Sequence, residues 1–117
     1  MSDRVVWFDL PSEDLERAMR FYAAVLDTEM SETYPGVSVI PSIDGGIHGC
    51  LFQSEEYLPS ENGALLYFNV NGRLTEAIAQ VVPNGGTVKE PPQPIGEHGR
   101  RAIVLDSEGN RIVLHSE

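Results

Sequence analysis

No apolar run in this chain approaches the roughly 18 consecutive residues that a membrane-spanning helix needs, so the sequence offers no span. Its opening, Met1-Ser2-Asp3-Arg4, runs straight into a strand-like segment without the apolar region of a secretory signal, and the expected location is the cytoplasm. Cysteine is nearly absent. Cys50 stands alone, which excludes an intrachain disulfide and a cysteine-built zinc cage. Its surroundings, Gly49-Cys50-Leu51-Phe52, read as a strand carrying a small buried thiol rather than a nucleophile. Basic charge is scarce as well: 8 Lys and Arg stand against 18 Asp and Glu, a formal charge of -10. That balance repels phosphate backbones and anionic lipid, so neither nucleic acid nor a membrane is an expected partner. The chain also lacks a Ser-His-Asp order, a phosphate-cradling glycine loop, a dinucleotide fingerprint and any low-complexity tract.

What is present is said nearly twice. Val5-Val6-Trp7-Phe8-Asp9-Leu10, followed by a helix from about Ser12 to Leu26, is echoed by Leu65-Leu66-Tyr67-Phe68-Asn69-Val70, followed by a helix from about Arg73 to Val82. With 117 residues, 41% of them hydrophobic, the chain suits one domain that buries a real core. A repeat of half that domain implies two supersecondary units sharing the core. Unit one covers about 4–53, a polar and acidic linker about 54–63, and unit two about 64–117.

Within the units, Ser12 is the expected cap of the first helix, with Glu13, Asp14 and Glu16 at its positive end. Leu15, Ala18, Met19, Tyr22, Val25 and Leu26 recur at helical spacing and form its buried stripe. Met30–Tyr34 alternates like a strand, Val37–Pro41 is a second, and Asp44-Gly45-Gly46 turns the chain into a third, Ile47–Phe52. In unit two, Asn71 is the expected helix cap, and Asn84-Gly85-Gly86 supplies the exit after Pro83. Thr87–Glu90 is a short strand, and Pro91-Pro92-Gln93-Pro94 is extended but unable to pair in mid-sheet. The loop Ile95-Gly96-Glu97-His98-Gly99 precedes a closing hairpin, Arg101–Leu105 and Arg111–His115. The result is βαβββ twice.

Strand side chains alternate between faces, so the strands divide by parity. Val6, Phe8, Leu10, Leu66, Phe68, Val70, Ile112 and Leu114 are uniformly apolar and belong under the helices. The opposite face carries Val5, Trp7, Asp9, Leu65, Tyr67, Asn69, Arg111, Val113 and His115. Aromatics for burial beside a few orienting polar groups are what a small-molecule pocket needs, although a half-solvated face or a subunit interface has the same composition.

Val5-Val6-Trp7-Phe8-Asp9-Leu10-Pro11, the helix end Arg20-Phe21-Tyr22 with Val25-Leu26, the loop Ile95–Gly99, and above all Asp106-Ser107-Glu108-Gly109-Asn110-Arg111-Ile112-Val113-Leu114-His115 resemble the vicinal oxygen chelate superfamily. That group includes glyoxalase I, the bleomycin-resistance proteins and the extradiol dioxygenases, and the chain looks most like its small single-domain glyoxalase-related members. The resemblance implies an α+β fold in which paired βαβββ units curl into a cup-like eight-stranded mixed sheet with helices outside. It also implies a homodimer, since members usually pair. In metal-dependent members the first and last strands of each unit supply His, Gln or Glu. The matching positions here are Val5, Leu65 and Val113, with the fourth near Gly49 or Leu51, and none offers a lone pair. No metal and no other cofactor is therefore expected. An alternative set of Asp9, His48, His98 and His115 has no short ligand spacing.

Two functions remain open from the sequence. One is a metal-free small-molecule-binding protein of the resistance type, using Trp7, Asp9, Leu65, Tyr67, Asn69, Arg111, Val113, His115 and His98 on the rim, with Arg100 beside it. The other is a lyase or isomerase in which His115 and Asp9 transfer a proton, since histidine titrates near neutrality. Asp9 and Arg111 share a face and are expected to pair, Trp7 is expected beside Tyr67, and the parity of His48 is open.

Overall fold

The structure is a computed structural model that describes residues 4–117, so the opening Met1-Ser2-Asp3 lies outside the described residues. The chain runs β1 (Trp7–Ser12), α1 (Leu15–Leu26), β2 (Val37–Ile40), β3 (His48–Gln53), β4 (Tyr67–Asn69), α2 (Leu74–Ala79), β5 (Thr87–Pro94), β6 (Arg100–Leu105) and β7 (Arg111–Ser116). Short 3-10 turns lie at Val82–Asn84 and Gly96–His98. The fold is α+β, with one mixed sheet from each half of the sequence: β1-β3-β2 and β4-β7-β6-β5. In each sheet the first strand runs parallel to the last strand of its half, β1 with β3 and β4 with β7, and the remaining pairings are antiparallel.

Seven strands form among the described residues, one fewer than the expected eight. Met30–Tyr34 makes only an isolated bridge between Tyr34 and Val37, because Thr33 and Tyr34 turn back to donate to the Val37 carbonyl. β1 continues through Pro11 and Ser12, which lie opposite Phe52 and Gln53. Asp14, not Ser12, therefore caps α1, accepting from the Arg17 N–H at 3.1 Å. Asn71 does not cap α2. Its side-chain oxygen instead accepts from the Glu117 N–H at 2.8 Å and ties down the last strand. The proline run lies in β5, the outer strand of its sheet, where Pro is tolerated: Gln93 and Pro94 stand opposite Arg101 and Arg100, while Pro91 and Pro92 fall in the register shift after Glu90 and have no partner.

The core is one cluster between the helices and both sheets. Leu15, Ala18, Phe21, Tyr22 and Val25 of α1 pack with Leu10, Leu51, Phe68, Ile112 and Leu114, so the apolar strand face lies under the helices as parity requires. Phe8 and Phe68 meet edge to face, their centroids 5.7 Å apart. The ring of Phe8 crosses directly over Gly49, where any Cβ would collide with it. Val6, also assigned to this face, precedes β1 and is exposed.

The two halves are joined through the β6–β7 turn. Buried Asp106 accepts from the Tyr22 hydroxyl at 2.6 Å, from the Glu108 and Asn110 N–H groups at 2.8 and 2.9 Å, and from the Asn110 amide at 3.0 Å. Four donors satisfy a carboxylate that would otherwise be costly to bury. Burial and the facing Asp106 carboxylate hold the Tyr22 hydroxyl well above its ordinary pKa, so it stays a donor. Asn110 also donates to the Pro11 carbonyl at the end of β1, 3.0 Å away. Glu108 reaches further. Its Oε1 accepts from the Glu13 and Asp14 N–H groups at 2.9 and 2.8 Å, and its Oε2 meets Arg17 Nε at 2.7 Å.

Candidate functional site

The outer face of each sheet, turned away from the helices, carries its own cluster. On the first sheet the parallel register sets Trp7 opposite His48 and Asp9 opposite Cys50, which fixes the parity of His48 on this face. Trp7 stacks on His48 with centroids 6.3 Å apart and planes within 2°, and its Nε1 donates to Asp9 at 2.7 Å. The Cys50 thiol donates to the same Asp9 oxygen at 3.1 Å. Burial first, then that bond and the Asp9 charge, push the Cys50 pKa up to about 12, so it is a thiol and no nucleophile at neutral pH.

The second sheet brings Tyr67, His98 and His115 together, as parity and the loop position suggested, and adds Arg101, which the sequence reading passed over. Arg101 lies directly across the β6–β7 hairpin from His115. Its Nη1 donates to the Tyr67 hydroxyl, and its guanidinium carbon lies 5.9 Å from the Tyr67 ring centroid. His115 Nε2 meets the carbonyl oxygen of His98, which requires that nitrogen to carry the proton. Gly99 permits this approach. It has φ +93°, and a Cβ there would strike the Ser116 carbonyl. Ile95 completes the wall of a cavity of about 500 Å³ lined by Tyr67, Ile95, His98, Arg101 and His115.

Other expected site residues fall elsewhere. Arg111 does not pair with Asp9: it bonds Glu61 of the linker at 3.0 Å, because the linker crosses the second sheet and Asp9 belongs to the first. Trp7 stands beside His48, not Tyr67, for the same reason. No hydrogen bond or ring contact links Asp9 to His115 among the described residues. Asn69 accepts from the Asn71 N–H at 2.8 Å and shapes the turn after β4. Leu65 precedes β4 at the surface, and Val113 is fully buried beside Ile103. A second cavity of about 540 Å³ lies between the sheets against Phe8, Ile40, Ile47 and Phe68, shares Tyr67 with the first, and is lined by no Lys, Arg or His. Its ionisable side chains are Asp27 and Tyr67.

The model of the glyoxalase/bleomycin resistance protein/dioxygenase superfamily matches residues 4–114. The chain belongs to this superfamily. Its fold is similar to that of a glyoxalase/bleomycin resistance protein from Albidiferax ferrireducens, with a TM-score of 0.82 at 21% identity, covering 98% of this chain and 99% of the other. A glyoxalase-related enzyme from Fulvimarina pelagi gives a TM-score of 0.79 at 17% identity over 98% of this chain and 88% of its own. A fosfomycin resistance protein from Mesorhizobium loti gives 0.70 at 21% over 100% and 93%. A comparison with curated proteins found no match.

For a superfamily member, the four positions matched to metal ligands are decisive. Val5, Leu65 and Val113 have no donor atom. The fourth position needs correction. Gly49 and Leu51 face the helices, packed against Phe8 and in the core respectively. The outward residue standing opposite Trp7, as Val113 stands opposite Tyr67, is His48. A single imidazole does not make a chelate. Among the described residues of one chain, no group of three or more His, Cys, Asp or Glu is placed to hold a metal ion.

Proposed function

We propose that this superfamily member is a metal-independent small-molecule-binding protein whose ligand lies against the outer sheet faces, and that a second copy of the chain completes the cup. The observation that carries the reading is the Tyr67-His98-Arg101-His115 cavity, an aromatic wall with convergent polar groups in a fold where three of the four positions matched to metal ligands are apolar. Support for the second copy comes from the edges. β1 and β4 are each the outer strand of a sheet, no strand pairing joins them, and each exposes an aromatic, Trp7 at 46% and Tyr67 at 49%. Setting β1 of one copy beside β4 of the other in a two-fold pair covers both edges and encloses both clusters.

The other reading, a lyase or isomerase using His115 and Asp9, draws on the His115 tautomer: with Nε2 protonated, the neutral ring has its lone pair on Nδ1, the form a general base requires. Asp9 would have to come from the partner copy.

Protein purified without chelator is expected to carry no stoichiometric Ni, Zn, Fe, Mn or Mg and to sediment as a dimer at tens of micromolar. One ion per chain, removable with loss of thermal stability, overturns the metal-free reading. A monomer overturns the shared cup. Turnover abolished by His115→Ala would favour the enzyme.

A further inference from the structure

Two arginines lie on the outer face of the second sheet, and only one has an acidic partner among the described residues. Arg111 pairs with Glu61, which Lys89 also approaches at 3.9 Å. Arg101 pairs with no carboxylate: its side-chain hydrogen bond goes to the Tyr67 hydroxyl, and its Nε is buried without a partner. The Arg111 Nε is unpartnered too, but Glu61 answers that charge. Among the described residues one other half-buried arginine lacks a carboxylate, Arg73, but it donates to the Val25 carbonyl at 2.8 Å, whereas Arg101 lines a cavity with a buried, unpartnered Nε in a chain with 18 acidic side chains and a formal charge of -10. Glu90 of the neighbouring strand is occupied by the Gln93 amide at 2.8 Å, and no carboxylate lines the cavity. Two of the three histidines of the chain do line it.

We propose that this cavity is an anion subsite. Arg101 receives the oxyanion head group of a small organic ligand whose apolar body rests on Tyr67 and Ile95. The inference rests on the small-molecule reading above and narrows its ligand class. Guanidinium donors fit the two oxygens of a carboxylate or a phosphonate in a way that a point charge does not. The strongly negative protein as a whole repels anions, so capture requires a local cationic, partly desolvated recess of this kind.

The test compares benzoate, phenylphosphonate and neutral benzamide by calorimetry, with the His115 and Tyr67 ring resonances as reporters of place. Both anions are expected to bind at least about tenfold more tightly than benzamide and to shift those resonances. Arg101→Gln should remove the preference, bringing benzoate and phenylphosphonate down to about the affinity of benzamide, and Arg101→Lys, which keeps charge but not the fork, should fall between. The lysine variant carries the test if the glutamine variant does not fold. Benzamide binding as well as benzoate at these resonances overturns the anion subsite and leaves the small-molecule reading standing. Failure of all three probes, and of a wider neutral set, to bind at either sheet face overturns both. If Arg101→Gln weakens the dimer but not benzoate binding, a carboxylate of the second copy occupies Arg101 and the subsite is refuted.

Discussion

Replacing Glu108 tests whether the turn between β6 and β7 holds the halves together. The Glu108 side chain is fully buried, while Arg17, its ion-pair partner, is 42% exposed. Oε1 and Oε2 together accept two backbone N–H groups ahead of α1, two Arg17 bonds and the Ser107 hydroxyl. Bonds to a charged group contribute about 1.5–3 kcal/mol each when desolvated. Water can replace the carboxylate at Glu13 and Asp14, and the exposure of Arg17 screens its pair, so Glu108→Ala should cost about 2–3 kcal/mol in all. Glu108→Gln keeps an acceptor for the backbone groups and should cost about 1 kcal/mol. Unfolding entropy near 2.1 cal/mol/K per residue makes about 0.25 kcal/mol/K for 117 residues, so the alanine variant should melt about 8–12 °C lower. Burial opposes ionisation of Glu108, but the Arg17 side chain, the Asp14 N–H and the Ser107 hydroxyl outweigh it and hold the carboxyl below its ordinary range. A depressed carboxyl stabilises above the unfolded value of about 4.3 and loses that contribution as pH falls through the folded value. The gap between parent and Glu108→Gln should be constant from about pH 6 to 8 and narrow as pH falls below the unfolded value of about 4.3. Urea melts followed by circular dichroism across pH measure both. An alanine variant melting within about 2 °C of the parent, or a glutamine gap unchanged at about pH 3, refutes the reasoning.

Cys50, with its pKa near 12, should react with iodoacetamide at about pH 8 roughly a thousandfold more slowly than free cysteine. Its rate should keep rising with pH, and a plateau below about pH 9 would show that Asp9 and burial do not hold the thiol. Gly49→Ala should destabilise by about 1–3 kcal/mol through displacement of the Phe8 ring. Phe8→Leu should recover much of that loss in denaturant melts, whereas an alanine variant as stable as the parent would contradict the packing. Ligand binding at the first sheet should change Trp7 emission, and Trp7→Ala should weaken it by about 1–3 kcal/mol. A ligand seen crystallographically on that face with unchanged emission and undiminished affinity for the alanine variant would make Trp7 purely structural.

The alternation of Phe8 and Leu10 with Trp7 and Asp9, and of Phe68 and Val70 with Tyr67 and Asn69, was legible because a strand buried on one face must write its pleat into the sequence. So was the apolar stripe of α1. Boundaries were less so. Ser12 and Asp14 are both good caps, and only the pairing of β1 with β3 decides between them. Neighbours across the molecule were not legible at all. Parity assigns a face but not a sheet, so Asp9 with Arg111 and Trp7 with Tyr67 were plausible pairs until the strand order separated them. Arg101 was within reach of the same rule: in the closing hairpin it stands across from His115 and shares its face.

The part of this chain by which it is most readily recognised, Asp106 to Asn110, turns its Asp106, Glu108 and Asn110 side chains onto Tyr22, Pro11, the start of α1 and the linker at Ser60. It is a joint, and it touches neither Trp7 nor the Arg101 recess. Kinship read from such a segment certifies how two half-domains are fastened and says nothing of the cargo. Proteins sharing this fastening are free to exchange one ligand for another, or to abandon a metal, without altering the signature that groups them. Assigning activities within such a group therefore calls for comparing the outward positions, His48, Tyr67, Arg101, Val113 and His115, while setting the common turn aside.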